Sequence, residues 1–222
     1  LIDKWAKGKI KAEKLPEKYE AGYEKAVNCQ WPAYLSSDYP DKTYLDGLRY
    51  FKNFNEFKGY DIIATEQKFK MRICDRLFVG IIDMILKDQL TGKLIILDHK
   101  RKSNATFKKE EKTIYRQQYL YSNYIKQEYG EFPQILQFNL FLECGEIKEQ
   151  AFDMKEYEKT MEWAKQTIEK MESFDLTDWL STKMDTLRAK AEAKGKNPDD
   201  VKLDSFCSGI CSCRKICEEC LK

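Results

Sequence analysis

An α/β fold is what this sequence predicts, and three stretches predict it. Leu77–Leu86 and Leu94–Leu97 are apolar, Ile-rich runs joined by the polar turn Lys87-Asp88-Gln89-Leu90-Thr91-Gly92-Lys93, the composition of two hairpin strands. From Thr113 to about Tyr129 the apolar residues fall at helical spacing, with Thr113 as a plausible N-cap and Gly130 as the stop. Pro133–Cys144 is a further strand run.

The remaining elements follow in order. Residues 1–27 read as one or two charged helices. Trp5, Ile10 and Leu15 carry the apolar side, Pro16 suits a first turn, and Tyr19, Tyr23 and Val27 continue a packing stripe. Gln30–Tyr60 is aromatic-rich and irregular, with a short helix expected near Tyr44–Phe54. Asp61–Met71 is expected as the first strand, through Ile62, Ile63 and Phe69, with Glu66 inside it. Asn104–Lys112 is polar and is expected as a loop leading into the helix of Thr113. After Pro133–Cys144 the chain returns through Gly145 to a short strand around Glu149–Phe152. Asp153 then caps an amphipathic helix with Met154, Tyr157, Met161, Ala164, Ile168 and Met171 on one side, and Leu176–Lys194 forms another. These elements group as a helical and irregular segment (1–60), a core (61–152), two C-terminal helices (153–200) and a cysteine-rich tail (201–222).

Composition bounds the function. With 222 residues, 42% hydrophobic and 13% aromatic, the chain can bury a sizeable core and is not disordered. No apolar run approaches a membrane span and no signal peptide is visible, so no membrane partner and a cytoplasmic location are expected. The first residue is Leu rather than Met, as in a fragment or processed chain. A formal net charge of +2 does not announce a nucleic-acid binder. Local clusters say more: Lys100-Arg101-Lys102 and Lys108-Lys109 would attract a phosphate backbone, although such runs also suit a solvated loop.

The hairpin carries the chemistry. Opposed residues of an antiparallel pair have a constant index sum, and Asp83 facing Asp98 gives 181, which centres the turn between Leu90 and Thr91. Side chains alternate along a strand, so Lys100 shares the face of Asp98. One patch then holds Asp83, Asp98 and Lys100, framed by Ile81, Ile85, Leu94 and Ile96. Two carboxylates about 5 Å apart repel by roughly 3 kcal/mol at an effective dielectric of 20, and an apolar setting adds desolvation. A divalent cation removes the conflict, since Mg²⁺ and Mn²⁺ take hard oxygens from aspartates, carbonyls and water. A lysine one pleat away can orient water or stabilise a phosphate. The constellation suits metal-assisted hydrolysis of a phosphodiester. Asp-x-Lys and Glu-x-Lys recur elsewhere, at Glu66/Lys68 and Asp153/Lys155 among others, and an edge-strand ion pair would look the same. The preceding apolar strand and the mirrored aspartate set Asp98/Lys100 apart.

Gly80-Ile81-Ile82-Asp83, then Asp98-His99-Lys100, then Gln117-Gln118-Tyr119-Leu120-Tyr121 resembles the RecB-type branch of the PD-(D/E)xK nuclease superfamily over roughly Asp61 to Leu142. The resemblance implies a restriction-endonuclease-like core, a mixed sheet ordered helix, three strands, helix, strand. It implies that Asp83 and Asp98 bind the catalytic metal and that Lys100 assists the nucleophilic water. It also implies that Gln117 and Tyr121 contact nucleic acid or brace the site. Glu66 would complete the metal shell, or stand exposed beside Lys68. Related nucleases usually place a histidine on an N-terminal helix. The one histidine here is His99, which points to the opposite face and offers at most its carbonyl to a metal.

Cys207, Cys211, Cys213, Cys217 and Cys220 put five thiols into fourteen residues. Without a secretion signal, closely spaced thiols suit a metal better than disulfides. Cys207-x3-Cys211-x5-Cys217, with Cys29 upstream, is similar to the iron–sulfur pattern of AddB-like and CRISPR-adaptation nucleases, with one residue more in the first gap. Cys213 and Cys220 are extra, which leaves both a [4Fe-4S] cluster and Zn²⁺ open.

The expectation is therefore a Mg²⁺- or Mn²⁺-dependent deoxyribonuclease, an exonuclease by analogy, with Lys102, Lys108, Gln117 and Tyr121 toward the DNA. A helicase or recombination protein is an expected partner. A non-catalytic nucleic-acid-binding module or subunit with a structural zinc or iron–sulfur site is the alternative.

Overall fold

The computed structural model describes residues 1–27 and 36–200. The chain divides into two compact units, Leu1–Ala164 and the remainder from Lys165. Cys29 and the five C-terminal cysteines lie outside the described residues.

The first unit is built on a five-stranded sheet in the order β1 (Tyr60–Ile73), β2 (Arg76–Asp88), β3 (Leu94–Lys100), β4 (Ile135–Leu140) and β5 (Glu146–Ala151). β2 pairs antiparallel with both β1 and β3, β3 and β4 run parallel, and β5 returns antiparallel along β4. Parallel neighbours need a crossover, and the helix between β3 and β4 supplies it. The sheet is thus mixed, with three strands, a helix and a strand in sequence, as expected.

The central part of the sheet is covered on both faces. Met84, Leu86, Ile95 and Leu97 pack with Phe57 on one face, where Ile2, Trp5, Phe54 and Ile62 close over them. Fully burying side chains of this size contributes about 1.5–3 kcal/mol each. Ile2 and Trp5 belong to α1 (Ile2–Ala6), while Phe54 and Phe57 follow α3 (Tyr39–Lys52), on which α2 (Leu15–Ala26) packs. α3 begins at Tyr39 rather than Tyr44, because Pro40 sits in its first turn, where a missing N–H is tolerated.

On the other face lies α4 (Asn104–Tyr129). The polar stretch expected as a loop is its first turns, and this corrects the sequence reading. Ser103, not Thr113, is the N-cap, and its hydroxyl accepts from the Thr106 amide. Phe107 is buried and meets Phe138 at 5.3 Å between ring centroids. Lys108, Lys109, Glu110, Glu111 and Lys112 are therefore the solvent side of a helix. Gly130 ends it in the left-handed region, φ 79°.

The strand expected over Pro133–Cys144 stops at Leu140, and Phe141–Glu143 is a 3₁₀ turn before Cys144 and Gly145 reverse the chain at positive φ. α5 (Met154–Glu172) starts where Asp153 Oδ1 accepts from the amides of Lys155 and Glu156. In the second unit, α6 (Leu176–Glu192) is capped by Asp175.

Candidate active site

β2 and β3 pair as Met84↔Leu97, Ile85↔Ile96, Leu86↔Ile95 and Lys87↔Leu94. This is the expected register, and Asp83 and Asp98 stand one step beyond its last pair. There Asp83 Oδ2 accepts from the His99 backbone N–H at 2.8 Å, so the carboxylate is tied across the strand pair. On the other side of β2, Thr65 pairs with Met84 and Gln67 with Ile82. Glu66 falls between them with φ 49°, a left-handed kink in β1. Glu66, Asp83 and Asp98 thus lie at one level on three neighbouring strands.

Asp98 is the most buried of the three, 5% exposed. Burial pushes its pKa up to about 6, the charge of Asp83 adds to the rise, and Lys100 opposes it. Lys100 Nζ lies 2.8 Å from Asp98 Oδ2. That contact is an ion pair without hydrogen-bond alignment, and among the described residues no other donor reaches the buried Oδ2. Lys100 Nζ donates to Gln117 Oε1 at 3.0 Å, and Gln117 Nε2 donates to the Tyr121 hydroxyl at 2.6 Å. Gln117 and Tyr121 meet because they are four apart on α4. The Tyr121 ring packs edge-on against Phe69, 5.3 Å between centroids, and burial raises its hydroxyl pKa. Asp98, Lys100, Gln117 and Tyr121 form one connected chain from sheet to helix, with Asp83 beside it.

The other expected site residues stand outside this connected chain. The His99 ring packs between Phe57 and Phe141, 6.3 and 5.5 Å from their centroids. Its two ring nitrogens are buried without hydrogen-bond partners among the described residues, and burial lowers its pKa to about 4, so it is neutral at pH 7. Its side chain is a packing group. Ile81, expected to frame the patch, is 44% exposed. Lys102 is paired with Glu110 at 2.8 Å, and Lys108 is exposed on the early turns of α4. Arg101 turns away to α3, 2.9 Å from Asp46.

Asp83, Glu66 and His99 also line a cavity of about 270 Å³ with Asp3 and Thr65, whose hydroxyl donates to Asp3 Oδ1 at 2.6 Å. Sequence reading missed Asp3, which no local signal joins to a strand 62 residues away. It also missed Gln118. That buried amide donates to the Gln137 carbonyl at 2.6 Å and pins α4 to β4.

Among the described residues, no three His, Cys, Asp or Glu side chains converge tightly enough to hold a metal by themselves. Asp83, one step beyond the last β2–β3 pair, together with the buried Asp98 still fits a hard cation, because Mg²⁺ is commonly held by one or two carboxylates, with water and substrate phosphate completing its shell.

A mixed sheet that sets an aspartate and an Asp-x-Lys on adjacent strands, facing a helix with Gln-x-x-x-Tyr, is the arrangement the nuclease resemblance implies. A model of the PD-(D/E)XK nuclease superfamily matches residues 6–218, and the chain belongs to that superfamily. Its nucleases generally use Mg²⁺ or Mn²⁺. No curated protein is significantly similar to the chain.

Proposed function

We propose that this chain is a metal-dependent DNA nuclease, acting as an exonuclease on DNA ends in repair, recombination or a mobile-element setting. The connected set Asp98–Lys100–Gln117–Tyr121, with Asp83 alongside, carries the reading. Asp83 and Asp98 would hold Mg²⁺ or Mn²⁺, with Glu66 or the His99 carbonyl as further oxygen donors. A cation there would supply Lewis acidity toward the phosphodiester and its attacking water. Lys100 is fixed from two sides, by Asp98 and by Gln117, so one ammonium donor stays oriented toward water or a phosphate oxygen. Tyr121 holds Gln117 in place and borders the substrate side. The buried Ile96 and Leu97 behind Asp98 keep bulk water out and strengthen every charge interaction in front of them. Lys102 and Lys108 would meet the DNA backbone.

The C-terminal cysteines would bind a [4Fe-4S] cluster or Zn²⁺, and absorption near roughly 400 nm separates the two. A helicase or recombination protein remains the proposed partner class. The test is digestion of end-labelled single- and double-stranded DNA by Mn²⁺-supplemented protein. Cleavage abolished by Asp98→Ala is expected. Uncut DNA with wild type and variant alike would sink the proposal.

A further inference from the structure

β1 and β2 continue well past the level of Glu66 and Asp83 as a two-stranded arm. Its tip is the two-residue turn Cys74-Asp75, with φ 48° and 60° and Ile73 paired to Arg76. Positive φ at both positions matches the right-handed twist of a hairpin. One side of the arm is anchored: Phe69, Met71 and Ile73 are buried, and the Phe69 ring stacks on Tyr124 at 5.1 Å and meets Tyr121. The other side is open and regular. Lys68 pairs with Ile81, Lys70 with Val79, and Arg72 with Leu77. Every pair sets one basic residue beside one aliphatic residue. Leu77, Val79 and Ile81 are 63, 66 and 44% exposed, and the three basic residues are exposed too.

We propose that this face binds single-stranded nucleic acid, with phosphates along the β1 row and sugar and base faces on the β2 row. Nucleic acid as the partner class rests on the nuclease reading above; the single-strand assignment rests on the two rows. Paired side chains on one face stand about 5 Å apart, and successive pairs about 6.8 Å apart, so the rows run parallel and close. Lysine on an edge strand alone would serve to block strand pairing. It gives no reason for three neighbouring aliphatics left in water, which soluble surfaces avoid without a partner. A duplex offers phosphates but hides its base faces. A single strand presents charge along one border and apolar ring faces along the other. No acidic residue occupies any of the six positions. The arm is also rooted at the site: Lys68 lies two residues after Glu66, and Ile81 two before Asp83.

The test measures binding of fluorescein-labelled oligothymidylate, and of a duplex of equal length, to the full chain in EDTA at several salt concentrations. Lys68→Ala/Lys70→Ala/Arg72→Ala should weaken single-strand binding by on the order of a hundredfold near 0.1 M salt, and reduce the salt slope by about 2. Lys68→Arg/Lys70→Arg should restore both, which excludes a folding artefact. Leu77→Ser/Val79→Ser/Ile81→Ser should weaken single-strand binding at an unchanged salt slope and leave duplex binding alone. Equal binding by all variants, when the wild type cuts DNA with Mn²⁺, would overturn the arm and leave the nuclease standing. Loss of self-association in the serine variant, with DNA binding intact, would overturn it in favour of a protein contact. Arm-dependent binding by a wild type that never cuts would uphold the arm and remove the nuclease.

Discussion

Asp98 concentrates the tension of the site in one residue. Its carboxyl has an ordinary value of 3.8 and titrates near 6 in the fold, chiefly because it is buried. Below about pH 4 it is protonated in both states and adds no penalty. Above pH 6 it is ionised in both, and the metal-free fold bears a net penalty of about 3 kcal/mol. Metal-free wild type should therefore lose stability as pH rises from about 4 to 6, and Asp98→Asn should not. Thermal melts in chelator at stepped pH check this: the difference between the two should move toward the variant by up to about 3 kcal/mol. A gap that ignores pH would mean that Asp98 ionises in the fold as it does in water. Gln117 carries a second expectation. Gln117→Leu removes the acceptor of Lys100 and the donor to Tyr121 at one stroke. Turnover should fall by on the order of a hundredfold, with KM little changed. Tyr121→Phe, which keeps the ring against Phe69, should fall less.

The elements decide which of these residues can meet. Asp83, Asp98 and Lys100 were legible in the sequence because one hairpin with one turn brings them together, and local composition fixes that register. Gln117 and Tyr121 were legible because helical spacing is local too. The nine residues before Thr113 were misread because what makes them helix is distant: Phe107 docks on Phe138, across the crossover. Asp3 and Gln118 were illegible for the same reason. The same long-range packing makes Gly80 sensitive. A Cβ there would lie 2.5 Å from the Phe69 ring, which Tyr121 and Tyr124 hold in place. Gly80→Ala should destabilise by about 1–3 kcal/mol, measured by denaturant unfolding. Ser103→Ala, which removes the α4 cap, should cost about 1 kcal/mol. A neutral Gly80→Ala would mean that the arm is not seated on α4 as described.

At the scale of the whole molecule, all strands of the site and α4 belong to the unit Leu1–Ala164, so ligand energy gained at Asp83 and Asp98 enters the stability of that unit. A cation that binds the native carboxylates and not the unfolded chain stabilises by RT ln(1 + [L]/Kd), about 2.7 kcal/mol at a hundred times Kd. For a chain of this size each kcal/mol shifts Tm by roughly 2–4 °C. Mg²⁺ or Mn²⁺ at that level should then raise the melting temperature of the sheet-bearing transition by about 5–10 °C. The raised pKa of Asp98, to which burial and then the charge of Asp83 contribute, gives this shift its direction, because a cation offsets the cost of that buried charge. Asp83→Ala/Asp98→Ala should lose the shift entirely. Calorimetry with and without chelator makes the measurement. An equal shift in the double variant would mean that the cation binds elsewhere on the chain, and that the two aspartates are held in place by the fold alone.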